Sequence, residues 1–153
     1  MKKGIVGITG EYFVAAELSQ MGIVATLTLK NTPQIYILAT NLGNGKFASI
    51  QVKTMSINNH AGWRLSRKDE NKSDIKNHYY VLINLKGSGC YPEYYIIPQN
   101  KLARFIYKAH RDWLSGNPKR KDTDIRAFDP YRNKDAKKSF EKYYNNWKTL
   151  DLF

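Results

Sequence analysis

From Asn31 to Thr54 the chain reads NTPQIYILATNLGNGKFASIQVKT, and no other stretch constrains the fold as tightly. Two runs rich in β-branched and aromatic residues, IYILAT and FASIQVKT, flank a Gly-Asn-Gly turn whose glycines supply positive φ, the signature of a β-hairpin. Residues two apart on a strand point the same way, so Ile50 and Val52 share one face of the returning strand while Gln51 and Lys53 share the other. One face is apolar and the other is armed. Opposite them, the outgoing strand carries the bulky Tyr36.

The remaining elements are read around this hairpin. Thr9, whose hydroxyl can cap free amides, starts a helix over about residues 10 to 21 that stops at Gly22. Its apolar stripe runs through Val14, Ala15, Leu18 and Met21, and one turn back along the stripe lies Glu11. IVATLTL reads as a strand before the hairpin. YYVLINL and PEYYIIP read as two strands after it, separated by the Gly-rich KGSGC loop. Pro98 opens a second helix that ends at Gly116, with Leu102, Phe105, Ile106, Ala109 and Trp113 at core spacing. PKRKDTDIRAFDPYR follows as a polar, basic connection, and Phe140, Tyr143, Tyr144 and Trp147 mark the buried or interface stripe of a last helix. The expected fold is α/β (α+β): a central mixed sheet of about five strands flanked by helices. A chain of 153 residues fits one domain, with a core over about 5–115 and a C-terminal helical extension over about 117–153 that serves DNA binding or assembly.

Charge narrows the partner. The 25 Lys and Arg outnumber 13 Asp and Glu, giving +12, a balance that favours a polyanion, nucleic acid first. The basic residues are spread over the chain and form no long amphipathic basic helix, which argues against a membrane surface. The longest apolar runs are only strand length and the N-terminus does not read as a secretory signal, so a cytoplasmic, nucleoid-associated location is expected. Cys90 is the single cysteine, which leaves no intrachain disulfide framework and no Cys-based zinc ribbon. His60, His78 and His110 are scattered and read as surface or DNA-facing residues.

A carboxamide oxygen can ligate a hard cation such as Mg²⁺, and a neighbouring Lys can stabilise charge developing on a phosphate or activate a water. Phosphodiester cleavage needs that pairing, although Gln-x-Lys also occurs on solvated strand faces. Between Met1 and Lys68 the only carboxylates are Glu11 and Glu17. Glu11, on the core-facing stripe, calls for a cation or a basic partner, or else is held by the dipole at the helix start. Glu17 falls on another face and reads as solvated.

An early helical Glu, followed by a strand pair in which an acidic position after a Thr-Pro stretch precedes (Asp/Glu/Gln)-x-Lys, resembles the PD-(D/E)-x-K nuclease superfamily. The matching residues are Glu11, Gln51 and Lys53, with Pro33 leading into the acidic position. Within that superfamily the likeness is closest to homing endonucleases encoded in group I introns of cyanobacterial transfer RNA genes, over nearly the whole chain. The resemblance implies a restriction-endonuclease-like core, double-strand cleavage dependent on Mg²⁺ or Mn²⁺, and a symmetric homo-oligomer, at least a dimer and by likeness a tetramer, spanning a long, nearly palindromic DNA target. It implies a catalytic set of Glu11, residue 36, Gln51 and Lys53, with Glu11, residue 36 and Gln51 as metal ligands. At that central position the superfamily carries Asp and this chain carries Tyr36, a larger side chain and a poor Mg²⁺ ligand. Asp and Tyr codons can differ by one base, which points to an inactivated copy of an active nuclease. Tyr36 as an ordinary strand aromatic in a non-catalytic DNA-binding protein is the alternative, as is a restriction-type or Holliday-junction-resolving nuclease on the same core.

Double-stranded DNA would be held by two basic stretches. The first, directly after the armed strand, offers Asn58, Asn59, His60, Arg64, Arg67, Lys68 and Lys72, side chains able to pair with purine edges in the major groove. The second contains Lys119, Arg120 and Lys121, equally readable as a solvated basic loop or as phosphate contacts. The C-terminal aromatic stripe and TLDLF are candidates for subunit contacts.

Overall fold

The computed structural model describes residues 2–28, 36–57, 59 and 61–153, Lys3 through its backbone only. Helix α1 runs over Lys3–Gln20, starting about two turns earlier than the Thr9 signal suggested. Thr9 is not a cap: its hydroxyl donates back to the Ile5 carbonyl at 2.8 Å within the helix. The stop is as expected. Gly22 takes φ +76°, and Gly22 N bonds Ser19 O at 3.0 Å while Ile23 N bonds Leu18 O at 3.0 Å, a Schellman closure that turns the chain into the sheet. Met21, expected in the core stripe, caps the helix and is exposed.

Strands β1 (Val24–Leu27), β2 (Ile37–Thr40), β3 (Phe47–Met55), β5 (His78–Asn84) and β6 (Glu93–Pro98) form the central five-stranded sheet in the order β1-β2-β3-β5-β6. All neighbours are antiparallel except β3 and β5, so the sheet is mixed. The hairpin between β2 and β3 turns at the expected place, with Asn41 Oδ1 accepting from Gly43 N at 2.9 Å, but of its two glycines only Gly45 takes positive φ, at +72°. β5 and β6 are buried on both faces, which requires a layer on each side of them.

α1 supplies one layer. Val14 and Leu18 pack with Ile37, Ile50, Val81, Ile83 and Ile96. The helix comes closest at Gly10, where an added Cβ would meet Thr54 Oγ1 at 1.9 Å, so glycine there is a condition of the approach. On the other side, helix α2 (Gln99–Ser115) opens after Pro98 and ends before Gly116, and packs Leu102 and Ile106 against Leu82, Ile97, Phe128 and Phe140. Trp113, expected in this stripe, lies 43 % exposed at its far end.

The chain also contains a second, two-stranded sheet, strand β4 (Trp63–Ser66) paired with β7 (Ile125–Phe128). β7 lies within the stretch expected to be a polar connection. Its Arg126, the most fully buried of the charged side chains, bonds Glu70 in the 3₁₀ turn Arg67–Glu70 and the carbonyls of Thr123 and Ile125. An arginine that turns inward to a carboxylate lets a polar-looking segment serve as a strand.

The expected last helix is broken. α3 (Lys134–Phe140) gives way to 3₁₀ turns at Glu141–Tyr143 and Trp147–Leu150. Between them Asn145, at φ +48°, exchanges two 2.8 Å bonds with the backbone of Tyr94 at the edge of β6. A continuous helix could serve only one side of the sheet. The broken path sends Phe140 and Tyr143 to the α2 side and Trp147, Leu150 and Leu152 to the α1 side. The two leucines of TLDLF are thus buried within their own chain, and Asn41 and Asn44 hold the Leu152 carbonyl from the hairpin turn at 2.8 and 3.1 Å. These leucines are not open to a second subunit. Among the described residues no helix is long and apolar enough to cross a membrane.

Candidate functional site

The β2–β3 ladder stops short. Its last register pair is Ile37 with Ile50, beyond which Tyr36 N donates to Ile50 O at 2.9 Å. Residues Gln51–Met55 of β3 then pair with β5 alone among the described strands. Tyr36 is half-buried and packs against the α1-side core.

Gln51 is only 4 % exposed, and among the described residues its Oε1 has no hydrogen-bond partner. A buried carbonyl oxygen without a donor costs on the order of 1–3 kcal/mol, a penalty that a hard cation or an ordered water would remove. Lys53 is 28 % exposed and reaches from the same face towards a carboxylate that sequence reasoning missed: its Nζ lies 3.8 Å from Asp69 Oδ2. Asp69, 6 % exposed, begins no strand or long helix; it closes a capping box with Ser66, accepting from Ser66 N at 2.6 Å and from Ser66 Oγ at 3.0 Å. Its other oxygen accepts from Tyr80 Oη at 2.5 Å, and Tyr80 is the register partner of Gln51 on β5. Burial, then the bond and charge of Asp69, then the nearby Tyr36 push the Tyr80 phenol far above its ordinary range, so it stays a neutral donor. The Ser-x-x-Asp spacing was visible in the sequence as a capping box; that the Asp would reach Lys53 was not.

Glu11 follows the Gly10 crossing on α1, half-buried, on the opposite side of the sheet at the level of Thr54. The structure therefore keeps Gln51 and Lys53 on one face of β3, ties Tyr36 to β3 through its backbone bond to Ile50, and places Glu11 on the helix behind β3. As a metal site the set fits in part. The partnerless Gln51 oxygen suits a Mg²⁺ or Mn²⁺ ion, whereas Tyr36 offers a phenol where an ion of that kind needs a carboxylate. Among the described residues no three His, Cys, Asp or Glu side chains converge to hold a metal.

The expected DNA contacts divide by what they already do. Asn58 and His60 lie outside the described residues, as does Pro33. Asn59 serves its own turn, donating to Gly62 O and accepting from Ala61 N. Arg67 pairs with Asp122 at 3.0 Å, and Arg120 bonds the Trp113 carbonyl while its guanidinium sits 5.0 Å over the Trp113 ring. Arg64, Lys68, Lys72, Lys119 and Lys121 are exposed. Two of the three histidines are not surface residues: His78 and His110 are buried, the first beside Ser49 Oγ at 2.9 Å with burial lowering its pKa, the second bonded to Asp122 at 2.8 Å. No family model, curated protein or solved structure matches the chain.

Proposed function

We propose that this chain is the scaffold of a site-specific double-strand DNA endonuclease of the PD-(D/E)-x-K kind, dependent on Mg²⁺ or Mn²⁺ in its active form and impaired by Tyr36. The observation that carries the reading is Gln51 Oε1, buried and without a donor among the described residues, on the face of β3 that it shares with Lys53. A net charge of +12 supports a duplex as the substrate. In this reading Lys53, held near Asp69, faces the scissile phosphate and offsets charge as it develops there. Gln51 and an acid at position 36 would hold the ion, which when bound polarises the phosphate and the attacking water, while Glu11 stands on the helix across the sheet. Two copies of the chain about a twofold axis would cut both strands of a nearly palindromic site, in the cytoplasm at the nucleoid.

The test is Tyr36→Asp, assayed with Mg²⁺ on duplexes selected by the protein itself from a random library and cloned into plasmid. Linearisation by the variant and none by the Tyr36 chain is the expected result; a variant that binds those duplexes but leaves them intact sinks the nuclease reading. Preference for four-way junctions over linear duplex would assign the resolvase branch. One observation favours a second reading. Tyr36 packs against the α1-side core as a native strand aromatic does, which suits a DNA-binding protein without chemistry, and such a protein stays inert after the substitution.

A further inference from the structure

The ribbon of β4 and β7 has two unlike faces. Trp63, Leu65, Arg126 and Phe128 point inward and are all buried. Arg64 and its register partner Ala127 point outward with Ile125, all three exposed. Arg126 is committed to Glu70, while the Arg64 guanidinium has no partner among the described residues. The outer face is thus an unpaired fork of five donors set among small and apolar neighbours.

The ribbon is also fixed to the candidate site at both ends of β4. At one end Trp63 Nε1 donates to the carbonyls of Lys53 and Ile83, each at 3.1 Å, bridging β3 and β5. At the other, Ser66 holds Asp69, which faces Lys53 and Tyr80. The register places Ser66 opposite Ile125, so the basic stretch that follows β4 and the one that precedes β7 emerge at the same end of the ribbon. Lys68 and Lys121 are exposed there.

We propose that the outer face of this ribbon lies in the major groove of duplex DNA, with Arg64 reading a guanine edge and Ala127 and Ile125 packing on neighbouring bases, while Lys68 and Lys121 meet the phosphates. The inference rests on the nuclease reading and assigns that reading its recognition element. A two-stranded ribbon fits a major groove about 12 Å wide, and a free arginine fork pairs with guanine O6 and N7 while small apolar side chains accept thymine methyls. The net charge of +12 selects a polyanion as occupant over a second copy of an equally basic chain. Because β4 is bonded to β3 at Trp63 and through Asp69, the base read by Arg64 stands at a fixed offset from the phosphate facing Lys53.

The experiment selects bound duplexes from a random library with the unaltered chain, Arg64→Ala, Ala127→Glu and Lys121→Ala, each checked for an unchanged melting temperature. The unaltered chain is expected to enrich a guanine at one position per half-site. Arg64→Ala should lose that position, with discrimination falling about tenfold and affinity for random duplex nearly kept. Lys121→Ala should weaken every duplex alike and lower the salt slope by about one. Ala127→Glu, an acid on the groove-facing surface, should abolish selection altogether. Arg64→Ala selecting the same consensus as the unaltered chain overturns the ribbon's role while leaving DNA binding intact. Failure of the unaltered chain to retain any duplex overturns the nuclease reading and the ribbon with it, and Ala127→Glu that only dissociates an oligomer assigns the face to a second copy.

Discussion

Replacing Tyr36 by Asp exchanges a half-buried phenol for a carboxylate at the residue whose N–H bonds Ile50, the neighbour of Gln51. Without metal the variant loses aromatic packing and gains a partly buried charge, a cost of about 2 kcal/mol. An ion bound at a hundred times its dissociation constant returns about 2.7 kcal/mol. Millimolar Mg²⁺, compared with Na⁺ at equal ionic strength, should therefore raise the melting temperature of Tyr36→Asp and leave that of the Tyr36 chain in place; equal responses would remove position 36 from the metal site. Asp69 carries a different prediction. Its oxygens take donors from Tyr80 and from both groups of Ser66, and charged hydrogen bonds of this kind contribute about 1.5–3 kcal/mol each. Asp69→Asn should lower the free energy of urea unfolding by about 3 kcal/mol, and a loss below 1 kcal/mol would mean the carboxylate is not the anchor of Lys53. At this scale the period of two on β3 was enough to put Gln51 and Lys53 on one face. Asp69 escaped because its role depends on the β3–β5 register, a long-range pairing that no local pattern encodes.

Among the elements, α1 makes the sharpest demand on a single residue. Alanine at an interior helical position is worth about 1 kcal/mol over glycine, but at position 10 its methyl would overlap Thr54 Oγ1, 1.9 Å away. The clash outweighs propensity, because overpacking of a close contact costs about 1–3 kcal/mol and a 1.9 Å approach belongs at the top of that range. Gly10→Ala should destabilise the chain, and adding Thr54→Ala should restore most of the loss, an interaction energy that a double-mutant cycle reads directly. Additive losses would show that α1 does not bear on β3 at this point. The same helix shows why boundaries were harder to read than elements: Thr9 is a good cap by type, yet its hydroxyl turns back to Ile5 because the helix had already begun. IRAF reads as connection because Arg126 looks solvated in the sequence, and only its long-range pairing with Glu70 turns it inward. The stripe at Phe140, Tyr143, Tyr144 and Trp147 has helical spacing but serves both sides of the sheet, which a single helix could not do.

At the scale of the whole molecule, the two cores on either side of the sheet share a dependence on buried phenols. Tyr80, Tyr94 and Tyr95 are nearly inaccessible, and each has its pKa raised above 10.0. Burial is the main cause for all three, followed by Asp69 for Tyr80, by Glu17 for Tyr94 and by Tyr144 for Tyr95, whose value reaches about 12. A group whose pKa is raised on folding contributes stability that is complete below its unfolded pKa and is lost as pH climbs towards its folded one. The window therefore opens near pH 10, where the unfolded chain releases these protons and the folded chain retains them. Each phenol contributes a slope of up to about 1.4 kcal/mol per pH unit, so three together approach about 4. Ionisation of lysines in the same range relieves the self-repulsion of a +12 chain and opposes the effect, but those lysines are mostly solvent-exposed and differ little between the two states. The free energy of unfolding should accordingly fall steeply above pH 10, with part of the phenolate absorbance appearing only in step with the loss of near-ultraviolet circular dichroism. If all 11 tyrosines titrated smoothly near pH 10 while the folded spectrum persisted, Tyr80 could not be sealed against Asp69, and the anchor assigned to Lys53 would be lost with it.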